Sequence, residues 1–247
     1  MSPGPHVNVI MGGLSHPGQV RDENEDCIAM RPDLGLAVLA DGMGGHQAGE
    51  VASRMAIEAI TESLSRVGSR AAPRKQILSA IEGANSAIFE AAQARADYRG
   101  MGSTVVVALF RGDRLYVAHV GDSRLYRFRD GQLTQLTQDH SVVQELVNRG
   151  LFTPEEARQS LARNLVTRAL GVDPTIESEL HEERVRAGDI YLLCSDGLTD
   201  VVTDEQISAI LAETSADLDA AAHRLIERAN AHGGPDNISV ILALANA

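Results

Sequence analysis

Two apolar patterns alternate along the chain. Short apolar runs stop abruptly at glycine, proline or aspartate, and longer stretches carry apolar residues every three or four positions. The first pattern predicts strands and the second amphipathic helices. Strands are expected at residues 7–13 and 26–30 and through Leu36-Ala37-Val38-Leu39 to Asp41. One helix is marked by Val51, Met55, Ile57, Ile60 and Leu64, and a second by Ile77, Leu78, Ile81, Ala84, Ile88 and Phe89, with residues 70–73 joining them. Strands rich in Val, Leu and Tyr follow at 104–110, 114–120 and 124–128, with Gly112-Asp113 and Asp130-Gly131 as turns, and Leu133 and Leu136 flank a shorter one. Helices are expected at 141–149, 154–170, 203–211 and 218–231, and strands at 176–180, 190–194 and 238–244. Strands at such short spacing pair antiparallel. Several are apolar throughout, so both sheet faces need cover. No repeat or linker divides the chain, and residues 1–247 are expected to form a single layered α+β domain.

Composition narrows the function. A chain of 247 residues, 44% hydrophobic and 23% charged, buries a full core without disulfides. A net charge of -12 argues against nucleic acid and anionic membrane as partners, and 3% aromatics with no Trp argue against base stacking. No apolar run approaches the ~20 residues of a membrane span. The first residues lack a basic segment followed by an apolar core, so no signal peptide is expected. Cys27 and Cys194, in apolar strand contexts, read as buried free thiols of a cytoplasmic protein.

The chemistry lies where strands end. Ala40-Asp41-Gly42-Met43-Gly44-Gly45-His46 puts a carboxylate at the end of a buried strand, followed by glycines that allow close backbone approach. Alone, this is an ordinary turn with a solvated aspartate. The device recurs at Asp196-Gly197 and at Asp122, and Asp236 stands just before the last strand. Four such aspartates suggest one oxygen-rich site gathered from distant parts of the chain. Carboxylates and backbone carbonyls are hard ligands suited to Mg²⁺, Mn²⁺ or Ca²⁺. Two such ions can activate a shared water for in-line attack on phosphorus. Arg21, in a charged loop before Glu25 and Asp26, has the planar fork that binds phosphate, and His46 is placed to protonate a leaving oxygen.

Other chemistries fail on the residues. Neither cysteine has arginine at the spacing of a cysteine phosphatase, and the one Asp-x-Asp, Asp217-Leu218-Asp219, reads as a helix start. Gly121-Asp122-Ser123 begins like certain serine esterases, but no histidine has aspartate three residues before it. The only lysine, Lys75, follows Arg74, so no phosphate-binding loop of the kinase type exists. Dense local calcium loops are also absent.

Six motifs appear in order: Arg21 through Asn24-Glu25-Asp26, Ala40 through His46, Gly102-Ser103-Thr104, Gly121-Asp122-Ser123-Arg124, Cys194-Ser195-Asp196-Gly197-Leu198 and Gly233-Gly234-Pro235-Asp236-Asn237. The set closely resembles the bacterial branch of the metal-dependent protein phosphatase family, type 2C, over about residues 7–244. The resemblance implies a four-layer α-β-β-α sandwich of two antiparallel sheets flanked by helices, with a mobile flap at about 140–170. It implies that Asp41 bridges two Mn²⁺ or Mg²⁺ ions, with Asp196 and Asp236 completing one and the Gly42 carbonyl binding the other. Glu25 and Asp26 act through bound water, and Asp122 with Asp196 holds a third, weaker ion. Arg21 is the implied phosphate contact and His46 the general acid. The implied reaction is hydrolysis of phosphoserine and phosphothreonine in proteins by a bridging hydroxide. The implied partners are a Ser/Thr kinase, often membrane-bound, and its substrates, and a monomer is expected. The alternative is a catalytically silent relative that binds phosphoproteins. Its mark would be a lost aspartate, and none is lost.

Overall fold

The structure is a computed structural model that describes residues 8–44, 48–66, 72–214 and 217–246. Eleven strands among these residues build two sheets. The first has five strands in the order β1 (Asn8–His16), β11 (Ile238–Asn246), β10 (Ile190–Cys194), β7 (Arg124–Arg129) and β8 (Gln132–Gln135). The second has the order β2 (Asp26–Arg31), β3 (Leu36–Met43), β5 (Val105–Arg111), β6 (Arg114–Val120) and β9 (Glu179–Arg184), with the two-residue β4 (Gly102–Ser103) paired to the end of β3. Every pairing is antiparallel.

Side-chain alternation along the strands sorts the core into three layers. On β3, Leu36, Val38 and Ala40 face a helical layer formed by α1 (Ala48–Arg66) and α2 (Pro73–Ala94), where Ile60, Leu64, Ile77, Ile81 and Ile88 are fully buried or nearly so. Ala37 and Leu39 point the other way and meet Tyr191, Leu193, Ile241 and Ala243 between the sheets. On β10 and β11, Ile190, Leu192, Cys194, Val240 and Leu242 face α6 (Asp204–Thr214) and α7 (Leu218–Ala231). The result is the expected α+β sandwich of helices, sheet, sheet and helices. Strands buried on both faces explain the continuous apolar runs.

Several boundaries differ from the sequence pattern. The strand expected to stop at Asp41 continues to Met43, because β4 pairs with Gly42 and Met43. The helix expected at 154–170 is only α4 (Pro154–Gln159), preceded by α3 (Val142–Asn148). Beyond Ser160 the apolar residues Leu161 and Leu165 are exposed, so a helix there has no apolar face to bury, and the backbone returns to bond Val142 and Ser141 instead. The strand expected at 176–180 is β9 at Glu179–Arg184, an edge strand rich in charge. It is held by cross-strand pairs such as Arg114–Glu182 rather than by apolar alternation. A short helix, α5 (Asp196–Thr199), follows β10 directly. Val7 and Arg70, at the edges of an expected strand and joint, lie outside the described residues.

Candidate metal centre

The predicted carboxylates lie toward one end of the sandwich because both sheets deliver them there, near enough to act on one another, although among the described residues no three of them bring ligand oxygens within 4.8 Å of one another. The register of β2 on β3 places Asp26 opposite Asp41. Like charges in that position repel, so the pair needs a compensating cation or a proton. Asp41 is fixed by its backbone: its N–H donates to Thr104 Oγ1 (3.2 Å), and its carbonyl accepts from Thr104 N–H (2.8 Å) and Ser103 Oγ (3.0 Å). Asp196 starts α5 at the end of β10, and Asp122 follows the end of β6.

Electrostatics show the convergence. Burial pushes the Asp41 carboxyl far above its ordinary range, and Asp26, Asp196, Asp122 and Asp236 push it further. Asp196 is raised in the same way by burial and then by Asp122, Asp200, Asp236 and Asp26. Asp122 rises to about 7, through burial and Asp139, although Arg124 pulls it down. Asp26 rises to about 6 through burial, against the pull of two serine hydroxyls. Glu25 is raised by burial despite Arg21. Repulsion of this kind ranges over several ångströms, so each carboxylate feels most of the others.

The donor set fits a hydrated divalent cation. It is all oxygen, as hard ions require. Asp26 Oδ2 accepts from Ser195 Oγ (2.8 Å), but its Oδ1 is buried with no hydrogen-bond partner, as is Glu25 Oε1. A buried carboxylate oxygen left unpaired is costly unless something outside the chain satisfies it. Gly42 shows why the backbone can come close here: a Cβ at that position would lie 2.1 Å from the Gly49 carbonyl oxygen and 2.7 Å from that of Glu25.

Arg21 reaches the same place from the β1–β2 loop. Its Nη2 donates to Asp236 Oδ2 at 2.8 Å, and the pair is partly exposed, at 52% and 29%. Asp236 Oδ1 accepts from the Asn237 N–H (2.8 Å). His46 lies outside the described residues. The segment 140–170 contributes Ser141, Val143, Ala157 and Arg163 to a cavity of about 310 Å³ whose other wall includes Asp122, Asp196 and Asp200. Arg163 Nε spans to Asp200 Oδ2 at 3.2 Å.

Sequence reasoning missed the residues that orient these groups. Ser195 bonds Asp26, Asn237 Oδ1 accepts from the Glu25 N–H (2.8 Å), and Ser53 Oγ donates to the Glu25 carbonyl (2.5 Å). Ser195 and Asn237 stood beside metal-ligand candidates, which was the available signal; Ser53, within a helix, gave none. A second cluster joins His119, His140 and Glu179, with ligand-type atoms within 4.8 Å of one another. It is separate from the predicted aspartates. His119 Nε2 faces the Gln138 carbonyl (2.7 Å) and so carries its proton, while His140 Nδ1 accepts from the Gly121 N–H (3.1 Å), leaving the His140 proton on Nε2 beside Glu179. Arg168 Nη1 stands 3.7 Å from the same Glu179 Oε1, so Glu179 answers both the imidazole N–H and the guanidinium, and the cluster is a clasp around the β6 end.

Known proteins share this fold. The sequence matches the Protein phosphatase 2C family over residues 18–230. It is 45% identical over 229 residues to the serine/threonine protein phosphatase PstP of Mycobacterium tuberculosis, covering 93% of this chain and 43% of that protein, so the chain spans less than half the length of that relative. The serine/threonine phosphatase stp of Listeria monocytogenes is 35% identical, covering 91% of each chain. A crystal structure of the M. tuberculosis enzyme superposes with a TM-score of 0.91 at 43% identity, covering 98% of this chain and 100% of that one. A structure of the PstP catalytic domain in complex with two manganese ions gives 0.88 at 42% identity, covering 98% and 99%. With the family match spanning residues 18–230 and relatives 35–45% identical over more than nine tenths of the chain, the chain belongs to the protein phosphatase 2C family.

Proposed function

We propose that this chain hydrolyses phosphoserine and phosphothreonine in proteins in a reaction that depends on Mn²⁺ or Mg²⁺, and that it opposes a Ser/Thr kinase. The observation that carries this reading is the convergence of Asp41, Asp122, Asp196 and Asp236, buried or half-buried carboxylates from four separate parts of the chain, with Arg21 on Asp236 as the one protein cation paired to them among the described residues. The relatives named as serine/threonine phosphatases, one with manganese bound, support it.

In this reading Asp41, Asp196, Asp236 and the Gly42 carbonyl hold two ions, and Glu25 and Asp26 orient their waters. Asp122 with Asp196 holds a third, weaker ion. Bound there, Mn²⁺ or Mg²⁺ supplies Lewis acidity toward a phosphoryl oxygen and lowers the pKa of water. Arg21 takes the phosphoryl oxygens in a charge-assisted contact, and His46 gives a proton to the departing seryl or threonyl oxygen. The segment 140–170 serves as a flap over the substrate.

The test is turnover of a phosphothreonine peptide. Mn²⁺ should support it, a chelator should abolish it, and thiol alkylation should leave it nearly unchanged, since neither Cys27 nor the buried Cys194 takes part. His46→Gln should slow the peptide far more than an aryl phosphate, whose leaving group needs no proton. Full activity in excess chelator overturns the reading. So does a folded, metal-loaded chain that binds the peptide without turning it over.

A further inference from the structure

The loop between β1 and β2 carries both Arg21 and Glu25, yet its charge-dense sequence has no apolar residue to bury except Val20, which is 68% exposed. It is held from outside, by the loop that ends in Asp236 and Asn237. The Asn237 side chain is the hub. It is 6% exposed, and both ends of its amide are used. Oδ1 accepts from the Glu25 N–H (2.8 Å), while Nδ2 donates to the carbonyls of Pro17 (3.0 Å) and Glu23 (2.9 Å). One amide therefore grips the loop at its start, two residues past Arg21, and at Glu25. Only a side chain with both a donor and an acceptor end can make all three bonds. The backbones reinforce the grip. Gln19 N–H donates to the Gly234 carbonyl (2.8 Å), and Gly18, at a φ of +85°, lies against the Asp236 carbonyl, where a Cβ would come within 2.2 Å.

Arg21 is long and half exposed, and no described neighbour other than Asp236 holds its guanidinium. Where it can place its fork is set by its own backbone, and misplacement of about 1 Å in such a contact costs about a hundredfold. We propose that Asn237 is a positioning residue for phosphate recognition: it clamps the Pro17–Glu25 backbone so that Arg21 is presented to the phosphoryl group. This rests on the reading of Arg21 as the phosphate contact.

The test is a double-mutant cycle on the metal-loaded protein, reading the inhibition constant of inorganic phosphate, with KM and kcat for an aryl phosphate and backbone hydrogen exchange of residues 18–25. Asn237→Ala should weaken phosphate about tenfold and raise KM, lower kcat less than about threefold, and speed exchange in the loop. In an Arg21→Ala background the same substitution should change phosphate binding less than about twofold. Equal losses in both backgrounds, or a lower melting temperature with unchanged phosphate binding, overturns the inference. If Arg21→Ala itself leaves phosphate binding unchanged, the fault lies with the assignment of Arg21 instead. Should Asn237→Ala not fold, Asn237→Ser, which fills part of the space, is read by the same criteria.

Discussion

The two ends of β10 are flanked by carboxylates in opposite circumstances. At its start Asp189 is 1% exposed, and its oxygens accept from Arg129 Nε and Nη2 (both 2.6 Å), the Arg186 N–H (2.7 Å) and the Tyr191 hydroxyl (3.0 Å). Burial alone would raise its pKa, but Arg129 and these donors outweigh burial and hold it below the ordinary range. At the other end, roughly 20 Å along the strand, Asp196 is half-buried near Asp122, Asp236 and Asp26, and its pKa is pushed far up. The same residue type, flanking the same strand, is satisfied by the chain at one end and left to repel its neighbours at the other. A buried charge is tolerated only when paired. The unpaired end is therefore the one where the proposed cation would do what Arg129 does at the other.

The largest expected effects come from breaking each end in turn. Asp41→Asn removes one charge from the repelling group with little change of shape. Turnover should fall roughly a thousandfold, the scale on which a single transition-state electrostatic group acts, while the chelated protein melts no lower than wild type. Asp189→Asn should do the reverse. It strands Arg129 beside a neutral partner, with only Glu183 at 3.4 Å to answer it, and should cost about 3 kcal/mol of stability with turnover per folded molecule unchanged. Denaturant melts paired with assays decide both. If Asp41→Asn unfolds the chain and Asp189→Asn silences it, the two ends have been assigned the wrong way round.

A smaller effect follows from pH. Asp26 and Asp122 titrate at about 6 and about 7 in the folded chain, against 3.8 unperturbed. A carboxyl raised in this way favours folding fully below its unfolded pKa and loses that contribution as the pH climbs through its folded value. In chelator, the melting midpoint should therefore fall as the pH rises from about 5 to about 8. Held at the proposed site, saturating Mn²⁺ should neutralise the group and remove most of that slope, so the gap between the two melts should widen with pH. Asp189 has the opposite sign, losing its contribution only as the pH drops through its lowered value, and does not enter this window. A gap that stays constant with pH would mean that these carboxylates are not what the metal compensates.

This contrast was half legible in the sequence. Asp41, Asp122, Asp196 and Asp236 stood out because each follows or precedes an apolar strand beside glycine or proline, and the layered fold followed from the same strands. Asp189 gave no sign of its role, since its partner Arg129 lies 60 residues earlier on β7 and meets it only through sheet pairing. β9 was misplaced because an edge strand held by charge pairs has no apolar period to read, and the long helix at 154–170 was overdrawn because spacing alone cannot show that Leu161 and Leu165 have nothing to pack against. Asn237 and Ser195 were visible as letters within the motifs, but not as the groups that hold Glu25 and Asp26.

The smallest expected effect sharpens the comparison at a residue with no charge. Gly49 is the second residue of α1, and a Cβ there would lie 2.4 Å from Glu25 Oε1 and 2.6 Å from the carboxyl carbon. Alanine is the better helix former by about 1 kcal/mol, so on backbone grounds Gly49→Ala should stabilise α1. The added methyl must instead displace the Glu25 carboxylate, whose Oε1 is buried and unpaired. The expected outcome is a chain that melts within about 1 kcal/mol of wild type but binds Mn²⁺ more weakly by calorimetry and turns over about tenfold more slowly, in line with losing a group proposed to orient the ions' waters. Glu25→Gln, which keeps the shape and removes the charge, should reproduce the loss without touching α1. If Gly49→Ala lowers stability by several kcal/mol while metal affinity holds, the glycine serves helix packing, and the space beside Glu25 belongs to the fold rather than to the site.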